Sequence, residues 1–461
     1  MKWKISRWFA VALLLCGVAL FGFVGCGSPA QSEVHVAADG SDAAGNGSEA
    51  SPYATVDKAA NAAPGSLIVV HGGTYGPITL GADCSGSASS PTVIRAASGE
   101  TAVVRAGDGT GISLTDVSHV SVEGLEVTGG THGIDYRSTR DAGERPLEDI
   151  HIKGCRVHGV RGVHGICVYS CNDQAPVRDL SIEGCEVYDC ECGSSESLVL
   201  NGNIDGFLIA ENRIHDNNNI GIDMIGFEGT AKHPEPLDGR NPYEYDFVRN
   251  GICRDNVVYN ISSQGNPAYY ENGEYDLCAD GIYVDGGQDI EVCRNFVFRC
   301  DIGLEVATEH SPKDNELFRV SGVRAHDNVI ADCTGWTGLC FGGYDQDLGF
   351  TEDCTFDHNT LVDNPVQIGV QRSRNNRVRA NLIIGGETAV EFSEDCRPED
   401  MRNDIRGNVL SGLQDEPRRK QSYGRVYPHK AMAADGFRSL IEGVGSRFTP
   451  DKDMMALYQT P

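Results

Sequence analysis

One stretch of this 461-residue sequence decides the fold, and it runs Gly281-Ile282-Tyr283-Val284-Asp285-Gly286-Gly287-Gln288-Asp289-Ile290-Glu291-Val292-Cys293-Arg294-Asn295. It begins with a glycine, an apolar residue, a variable residue and a second apolar residue, and it ends on an asparagine that opens another short apolar run. The four-residue phrase returns along the chain, and its clearest other copies begin at Gly111, Gly133, Gly165, Gly221, Gly303 and Gly338.

The phrase recurs at a nearly regular interval. The final asparagine of the quoted stretch belongs to a series of marks that are mostly 22 to 33 residues apart, namely Cys155, Cys185, Asn212, Asn256, Asn295, Asn328, Asn359, Asn381 and Asn408. A period of this length is typical of stacked repeats. Each unit holds two short apolar strands and shows no helical period. Because one unit cannot bury its apolar face alone, the sequence predicts an all-β solenoid of stacked coils.

The residues ahead of the repeats predict a cap. Residues 55–63 are alanine-rich and stop at Pro64-Gly65, which predicts a short helix over the open edge of the first coil. Together with residues 34–42, 68–70 and 73–75, this segment resembles the N-terminal module of right-handed parallel β-helix proteins of the pectate-lyase-like superfamily. The resemblance implies a right-handed parallel β-helix with a short N-terminal helical cap.

Residues 1–25 have the composition of a targeting segment, with basic residues followed by an apolar run. Phe23-Val24-Gly25-Cys26 resembles a bacterial lipoprotein processing box, which implies that Cys26 carries lipid and anchors the protein to a membrane. Residues 26–33 would then be a tether. The alternative is a plain secretory signal with an incidental cysteine. Either leader predicts an extracytoplasmic protein, and the first predicts a lipid-anchored one at the cell envelope or cell surface.

The rest of the chain divides into three parts. We expect an N-terminal cap at 34–80, the parallel β-helix at 81–410 and a C-terminal cap and tail at 411–461. In the last part, residues 433–442 predict a short helix.

Charge and cysteine content narrow the function classes. The formal net charge of −28 argues against nucleic acid as a partner, because nucleic acid selects basic surfaces. The 17 cysteines lack the paired spacing of a zinc site, so we expect buried thiols together with some disulfides. Cys190, Cys300 and Cys333 end the same phrase and should stack in one column. We expect the protein to be a monomer.

The variable residue of the phrase should point out of the coil, because strand residues alternate between faces. Asp223, Tyr283 and Glu305 should lie side by side on successive coils, with Asp285 on the same face. An ordinary solvated acidic face is the alternative interpretation. The whole column would read Ser113, Asp135, Cys167, Val199, Asp223, Tyr283, Glu305, Cys340, Gln367 and Glu391.

Two long insertions flank this column, at residues 228–250 and 262–279. Long loops in a compact repeat are often functional, and tyrosine rings suit the faces of sugars. We therefore expect a groove between the insertions. Its predicted substrate-binding residues are Asp223, Glu309, His310, Tyr269 and Tyr270.

The quoted stretch, followed by Cys300-Asp301-Ile302-Gly303-Leu304-Glu305-Val306, resembles the catalytic stretch of β-helical glycosidases of the β-xylosidase type. The resemblance implies that Asp285 is the nucleophile and Glu305 the acid/base. Retaining hydrolysis needs carboxyl groups about 5–5.5 Å apart and inverting hydrolysis about 6.5–9.5 Å, a range that a diagonal pair on adjacent coils spans.

Asn217-Asn218-Asn219-Ile220-Gly221-Ile222-Asp223 resembles the calcium loop of β-helical pectate lyases that use a lysine base. The resemblance implies calcium ligands at Asp223 and Asn219. It places Tyr283 where that family has its lysine, and two acids of its loop are replaced here by Asn219 and Ile220. A tyrosine base would need a lowered pKa, whereas flanking acids raise it.

These observations predict a polysaccharide-acting protein outside the cytoplasm. The leading hypothesis is a glycoside hydrolase that uses Asp285 and Glu305, requires no cofactor and could bind calcium. A pectate-type lyase that uses Tyr283 with Asp223 is the first alternative. A non-catalytic carbohydrate-binding or surface-structural protein is the second.

Overall fold

Three long parallel sheets build the molecule. The computed structural model describes residues 31–234, 239–343, 349–393, 401–412, 423–427, 431–433 and 436–460. Cys26 and residues 1–25, for which a leader is predicted, lie outside these ranges. No helix among the described residues is long and apolar enough to cross a membrane.

Sheet I has 13 strands, stacked in chain order. They are Glu33–Val36, Leu67–Val70, Thr92–Ala96, Val120–Glu123, Leu147–Lys153, Val177–Glu183, Ile204–Ala210, Val248–Arg254, Glu291–Cys293, Arg324–His326, Thr355–Asp357, Arg377–Arg379 and Asp404–Ile405.

Sheet II has 11 strands and carries the repeated phrase. They are Ile78–Leu80, Thr110–Thr115, His132–Ser138, His164–Ser170, Leu198–Gly202, Ile222–Ile225, Asp280–Asp285, Ile302–Ala307, Thr337–Phe341, Val366–Val370 and Thr388–Phe392.

Sheet III also has 13 strands. They are Gly73–Tyr75, Ala102–Arg105, Glu126–Thr128, Arg156–His158, Glu186–Tyr188, Arg213–Asn217, Val257–Ile261, Phe296–Cys300, Val329–Ala331, Thr360–Val362, Leu382–Ile384, Asn408–Ser411 and Gly424–Tyr427. A small parallel sheet joins Val320–Ser321, Thr351–Glu352 and Ser373–Arg374, and one hairpin joins Tyr270–Glu271 to Glu274–Tyr275.

The predicted right-handed parallel β-helix is confirmed. Each coil contributes one strand to each long sheet, and its apolar residues fill the interior. Ile222, Ile282, Leu304 and Leu339 pair in register on successive coils of sheet II, and each is at most 1% exposed. The core is therefore one continuous stack of aliphatic side chains along the solenoid axis.

The recurring asparagines form a hydrogen-bonded ladder inside the coil. The Oδ1 atom of Asn295 accepts from the backbone N–H of Asn256 at 3.0 Å and from its Nδ2 at 2.9 Å. Asn295 in turn donates both groups to Oδ1 of Asn328, each at 3.0 Å. The same pattern continues through Asn212, Asn359, Asn381 and Asn408. The buried side-chain amide at each corner thus satisfies the hydrogen-bonding groups of the neighbouring coil.

The N-terminal helix forms as predicted. Helix α1 spans Val56–Ala62, and the Thr55 hydroxyl caps it by accepting from the Lys58 N–H. Its buried residues Val56, Ala59 and Ala60 pack on the end of the core. The range 34–80 is more than a cap, however, because four of its strands already pair within sheets I, II and III.

The C-terminal helix lies elsewhere than predicted. Among the described residues of 433–442 no helix forms, because backbone bonds fold this segment into a turn: Ala433 donates to the Arg438 carbonyl and Leu440 to that of Ala431. Helix α2 instead spans Lys452–Gln459. Its Tyr458 ring packs against Phe296 and Phe298 on the outside of sheet III.

The expectation of disulfides is not met in the described part of the chain. All 14 cysteines there are free thiols, and most are buried in the core. Cys190, Cys300 and Cys333 each act as small apolar side chains at a coil corner.

Candidate functional site

The predicted column lies on the outer face of sheet II. Asp223 pairs with Tyr283, and Tyr283 pairs with Glu305, so the expectation that these three lie side by side on successive coils is confirmed. Asp285 follows Tyr283 by two residues and pairs with Ala307 on the next coil.

The prediction that Gln367 belongs to the column is wrong. Gln367 does not stack on Cys340, because the last phrase is shifted by two residues and Gly369 pairs with Cys340 instead. Gln367 faces the corner, where its Nε2 donates to the carbonyls of Ile384 and Gly385. Glu391 does belong to the column and pairs with Gly369.

The polar centre of this face is buried. Asp223 is 1% exposed, Asp285 5%, Tyr283 7% and Glu305 9%. Charged groups are rarely buried to this extent unless they are paired or functional. An ordinary solvated acidic face therefore does not describe these coils.

The insertion at 262–279 is fixed to the coil beneath it. The Asp301 carboxylate accepts from the backbone N–H of Ser263 at 2.8 Å and from that of Ala279 at 3.2 Å. One buried carboxylate thus holds both ends of the insertion. The loop is a built part of the molecule, with its own hairpin at Tyr270–Glu271 and Glu274–Tyr275.

The two predicted tyrosines have different surroundings. The Tyr269 hydroxyl accepts from Nδ2 of Asn219 at 3.1 Å, which ties the insertion to the predicted calcium loop. Tyr270 is 50% exposed, and its ring packs against Tyr275 with a centroid distance of 4.7 Å. Only Tyr269 therefore reaches toward the buried acids.

The insertion at 228–250, of which residues 235–238 lie outside the described ranges, closes the other side. Its Glu228 carboxylate accepts from Nε2 of His310 at 2.9 Å. This hydrogen bond raises the pKa of His310. Asp246 holds the loop in shape by accepting from the backbone N–H groups of Gly229 and Ala231, each at 2.6 Å. His310 and exposed Glu309 therefore line the rim.

Glu305 has an unusual carboxyl environment. Burial raises its pKa to about 7, while hydrogen bonds with Cys340 and Asp280 act in the opposite direction. Asp280 is 3% exposed, and burial followed by the Glu305 charge raises its pKa. Two buried carboxyl groups on adjacent strands favour holding a proton, because both cannot readily ionise at close range.

Asp285 differs from Glu305 in what it contacts. Its Oδ1 accepts from the backbone N–H of Glu309 at 3.3 Å, and Thr308 gives it a side-chain hydrogen bond. Burial and the charges of Glu309 and Glu228 raise its pKa. The two donors only partly offset this rise, whereas Glu305 faces another acid.

The separation of Asp285 and Glu305 follows from the register. Coils are about 4.8 Å apart and strand residues rise about 3.3 Å each, so this diagonal pair has Cα atoms roughly 8 Å apart. Because both side chains leave the same face, this Cα separation is compatible with the carboxyl distances of retaining and of inverting glycosidases.

Tyr283 is poorly suited to act as a base. Burial raises its pKa well above the ordinary value, and the charges of Asp285 and Glu305 raise it further. A tyrosine base needs the opposite shift.

Asp223 and Asn219 each present an unpaired oxygen. Oδ1 of either residue is buried and has no hydrogen-bond partner within the described chain. Burial, and then the Asp285 and Glu196 charges, raise the pKa of Asp223. No hydrogen bond joins Asn219 to Asp223, because the Asn219 amide donates to Tyr269 and to the Ser195 carbonyl. Free carboxylate and amide oxygens fit a hard cation such as Ca²⁺.

Sequence reasoning missed Asp280 and Glu196. Burial raises the pKa of Glu196 to about 8. Each lies one residue before the first position of the repeated phrase, Gly281 or Ser197. At that position, strand alternation predicts a side chain that points into the coil. These residues instead lie at the corner of the coil, beside the column. The signal was present, because the same position holds histidine on two earlier coils, His132 and His164.

A separate cavity of about 670 Å³ lies beside the insertion at 228–250. Its lining includes Arg140, Asp173, His233 and Arg240, and it contains none of the predicted catalytic residues. The buried acids and this cavity are therefore distinct features.

Fold and site together define a right-handed parallel β-helix protein with a buried carboxyl cluster. The chain is 31% identical to the uncharacterized protein YwoF of Bacillus subtilis (strain 168), over 99% of this chain and 95% of that protein, and it belongs to the same family. Residues 241–420 match the family model described as "Periplasmic copper-binding protein (NosD)".

Solved structures show the same fold at low identity. XylC in complex with xylose is 12% identical, with a TM-score of 0.50 and 86% of each chain covered. The GH136 lacto-N-biosidase from Eubacterium ramulus is 12% identical, with a TM-score of 0.53, 83% of this chain and 68% of that chain. The PL6 family alginate lyase AlyGC is 14% identical, with a TM-score of 0.55, 92% of this chain and 58% of that chain.

Proposed function

We propose that the protein is an extracytoplasmic glycoside hydrolase that acts on polysaccharide. The observation that carries the proposal is the buried carboxyl pair Asp280 and Glu305. Asp280 lies on the same strand as Asp285, and Glu305 lies on the adjacent strand. Active-site acids are typically found where burial and like charges push two carboxyl groups to different protonation states.

In this proposal Glu305 is the general acid. Its pKa of about 7 keeps a large protonated fraction at neutral pH, so it can donate a proton to the glycosidic oxygen. Asp285 is the opposing carboxyl group, and the Glu309 N–H and Thr308 lower its pKa against the rise that burial causes. Asp280 is a positioning residue that holds the Glu305 carboxyl.

We propose inversion as the stereochemical course. A Cα separation of roughly 8 Å is wide enough for carboxyl groups that hold a water molecule between the substrate and Asp285. Asp285 would then activate that water as a base rather than attack the sugar as the nucleophile that the family resemblance implies. Proton NMR of the first-formed product would show an anomer opposite to that of the substrate.

The comparisons support a carbohydrate substrate and an extracytoplasmic location only by analogy. XylC is described in complex with xylose, and the GH136 relative is a lacto-N-biosidase. The matching family is described as periplasmic. We further propose that Cys26 carries a lipid that anchors the protein at the cell envelope, that the protein is a monomer, and that it does not bind nucleic acid.

A cation-assisted polysaccharide lyase is the second candidate. The observation that favours it is the pair of unpaired buried oxygens on Asp223 and Asn219, which would hold Ca²⁺. Such an ion would neutralise a uronate carboxylate of the substrate. The raised pKa of Tyr283 counts against that residue as the base.

Digestion of a polysaccharide panel tests both candidates. Hydrolysis yields reducing ends alone, whereas lyase action also yields an unsaturated sugar that absorbs in the ultraviolet. Reducing ends without ultraviolet absorbance support the hydrolase, and absorbance overturns it. Retained glycan binding without any turnover would favour the non-catalytic alternative.

A further inference from the structure

A second cluster of side chains lies on sheet II, two and three coils before Asp223. His132 and His164 pair in register on adjacent coils, and Cys167 follows on the second of them. One ligand atom from each of the three residues lies within 4.8 Å of the other two. Two imidazoles and a thiol at this spacing have the geometry of a transition-metal site.

Hydrogen bonds orient His164 for coordination. Its Nδ1 lies 3.2 Å from the Glu196 carbonyl oxygen, and since a carbonyl only accepts, Nδ1 must carry the proton. Nε2 therefore holds the lone pair, and it accepts from the Tyr169 hydroxyl at 3.1 Å. A ring fixed by an Nδ1–H bond to a backbone carbonyl is the usual arrangement of a metal-binding histidine.

His132 is oriented in a similar way. Its Nδ1 lies 3.1 Å from the Thr131 hydroxyl, which leaves Nε2 without a bond to the described residues. The ring is half-buried, and its centroid is 5.5 Å from that of His164. The site thus has one open side at His132.

The thiol has a carboxylate next to it. Sγ of Cys167 donates to Oδ1 of Asp135 at 3.3 Å. The other oxygen of Asp135 accepts from Nε of Arg137 at 2.9 Å. When a metal binds, the thiol proton can pass to Asp135 and then to solvent, so that the sulfur coordinates as thiolate.

Burial separates this site from an ordinary surface cluster. Cys167 is 0% and His164 3% exposed. A second group, Glu291, Cys293 and His326, is similarly close. There, however, both ring nitrogens of His326 contact carboxylates, Nε2 that of Glu291 at 2.6 Å and Nδ1 that of Asp327 at 2.7 Å. In the first group, Nε2 of His132 has no hydrogen-bond partner among the described residues, and Nε2 of His164 is held only by the Tyr169 hydroxyl, which a metal ion would displace.

We propose that His132, His164 and Cys167 bind one thiophilic transition-metal ion, Zn²⁺ or Cu⁺. Thiolate and imidazole ligands select these ions over Ca²⁺ and Mg²⁺. The site lies outside residues 241–420 and shares no ligand with the carboxyl cluster, so it stands independently of the proposed hydrolase.

Cobalt substitution tests the site in the full chain. The protein is reduced, freed of metal and titrated with Co²⁺, which gives a near-ultraviolet thiolate charge-transfer band when sulfur coordinates. We expect saturation at one equivalent, loss of the band on addition of Zn²⁺, and competition by Cu⁺ supplied from a chelator buffer. If only Zn²⁺ or only Cu⁺ competes with Co²⁺, that ion is the preferred metal, and the result still supports the site.

Matched variants decide between the two groups. Cys167→Ser should abolish the band, and His132→Gln should weaken Co²⁺ binding by about tenfold or more. Cys293→Ser is the control and should leave the titration unchanged. If Cys167→Ser does not fold, Zn²⁺ protection of the Cys167 thiol from alkylation, measured by peptide mass spectrometry in the wild type, replaces it. Absence of the band in the wild type, an unchanged band in His132→Gln, or loss only in Cys293→Ser would overturn the proposal.

Discussion

Asp280 and Glu305 are buried carboxyl residues on adjacent strands of sheet II, and each changes the pKa of the other. Neither residue has a lysine or arginine partner among the hydrogen bonds and ion pairs of the described chain. The pair is therefore stabilised by a proton rather than by a counter-ion. A site of this kind stores an acid at neutral pH, which is what cleavage of a glycosidic bond requires.

Replacing either proposed catalytic residue should abolish turnover without unfolding the coil. Glu305→Gln and Asp285→Asn should each lower kcat by about 100-fold or more, since general acid–base groups contribute factors of this size. Glu391→Gln is the matched control, because Glu391 belongs to the same column and is exposed. Kinetics on the cleaved polysaccharide, with circular dichroism of each variant, measure the outcome. Wild-type rates in Glu305→Gln would exclude Glu305 as the acid.

The pH profile should reveal the shared proton. The general acid acts in its protonated form, so kcat should fall as pH rises through about 7, the pKa of Glu305. The hydrogen bond from Asp280 lowers that pKa, so Asp280→Ala should move the basic limb upward, and Asp280→Asn, which keeps a donor, should move it less. Identical profiles for all three proteins would contradict the positioning role.

Stability should fall with rising pH. Burial raises the pKa of Glu196 to about 8 and that of Glu305 to about 7 in the folded protein, so the folded state binds more protons than the unfolded state above pH ~4.5. The stabilising contribution is complete below that pH and is lost as pH rises through 7 and 8. Thermal unfolding should show a lower Tm at pH 8.5 than at pH 5.5. Glu196→Gln should flatten this dependence, and a steeper slope in the variant would refute the assignment.

Calcium should stabilise the fold through Asp223. Binding to the folded state alone raises the free energy of unfolding with the logarithm of ligand excess, by about 2.7 kcal/mol at 100-fold over Kd, and so raises Tm. We expect millimolar CaCl₂ to raise Tm, EDTA to reverse the effect and Asp223→Asn to remove it, with Glu391→Gln responding like the wild type. An equal shift in Asp223→Asn would place the ion elsewhere.

The asparagine ladder predicts a stability effect remote from the site. Asn295→Ala would leave the Asn256 amide and the Cys253 carbonyl unpaired in the core, at a cost of about 1–3 kcal/mol for each group. Asn61→Ala, on the exposed face of α1, should cost little. Urea unfolding of both variants compares them.

The sequence predicted the structure correctly where the apolar side chains must be buried in the core. Ile282 and Leu304 must face the core, so their spacing predicted the coil, the register and the column of Asp223, Tyr283 and Glu305. A one-residue slip would move every apolar side chain into water.

The sequence pattern did not predict the direction of side chains at the ends of strands. Asp280 is the first residue of its strand, at a corner where strand alternation no longer fixes direction, and Gln367 follows a corner that shifts the phrase by two residues. Burial of the acids was also hidden, because it depends on insertions that have no repeat of their own. A column of acids looks the same in sequence whether water or a loop covers it.

The ladder from Asn212 to Asn408 also governs how such a molecule can change length. Each asparagine from Asn256 to Asn381 accepts two hydrogen bonds from the coil before it and donates two to the coil after it, so its hydrogen-bonding groups match on both sides. Removing one complete turn, for instance between Asn328 and Asn359, would bring matching donors and acceptors together again. Gain or loss of a whole turn therefore preserves the asparagine hydrogen bonds at this corner. Gain or loss of a partial turn would interrupt the asparagine ladder. Evolution can shorten or extend the rod on either side of the acids without touching them.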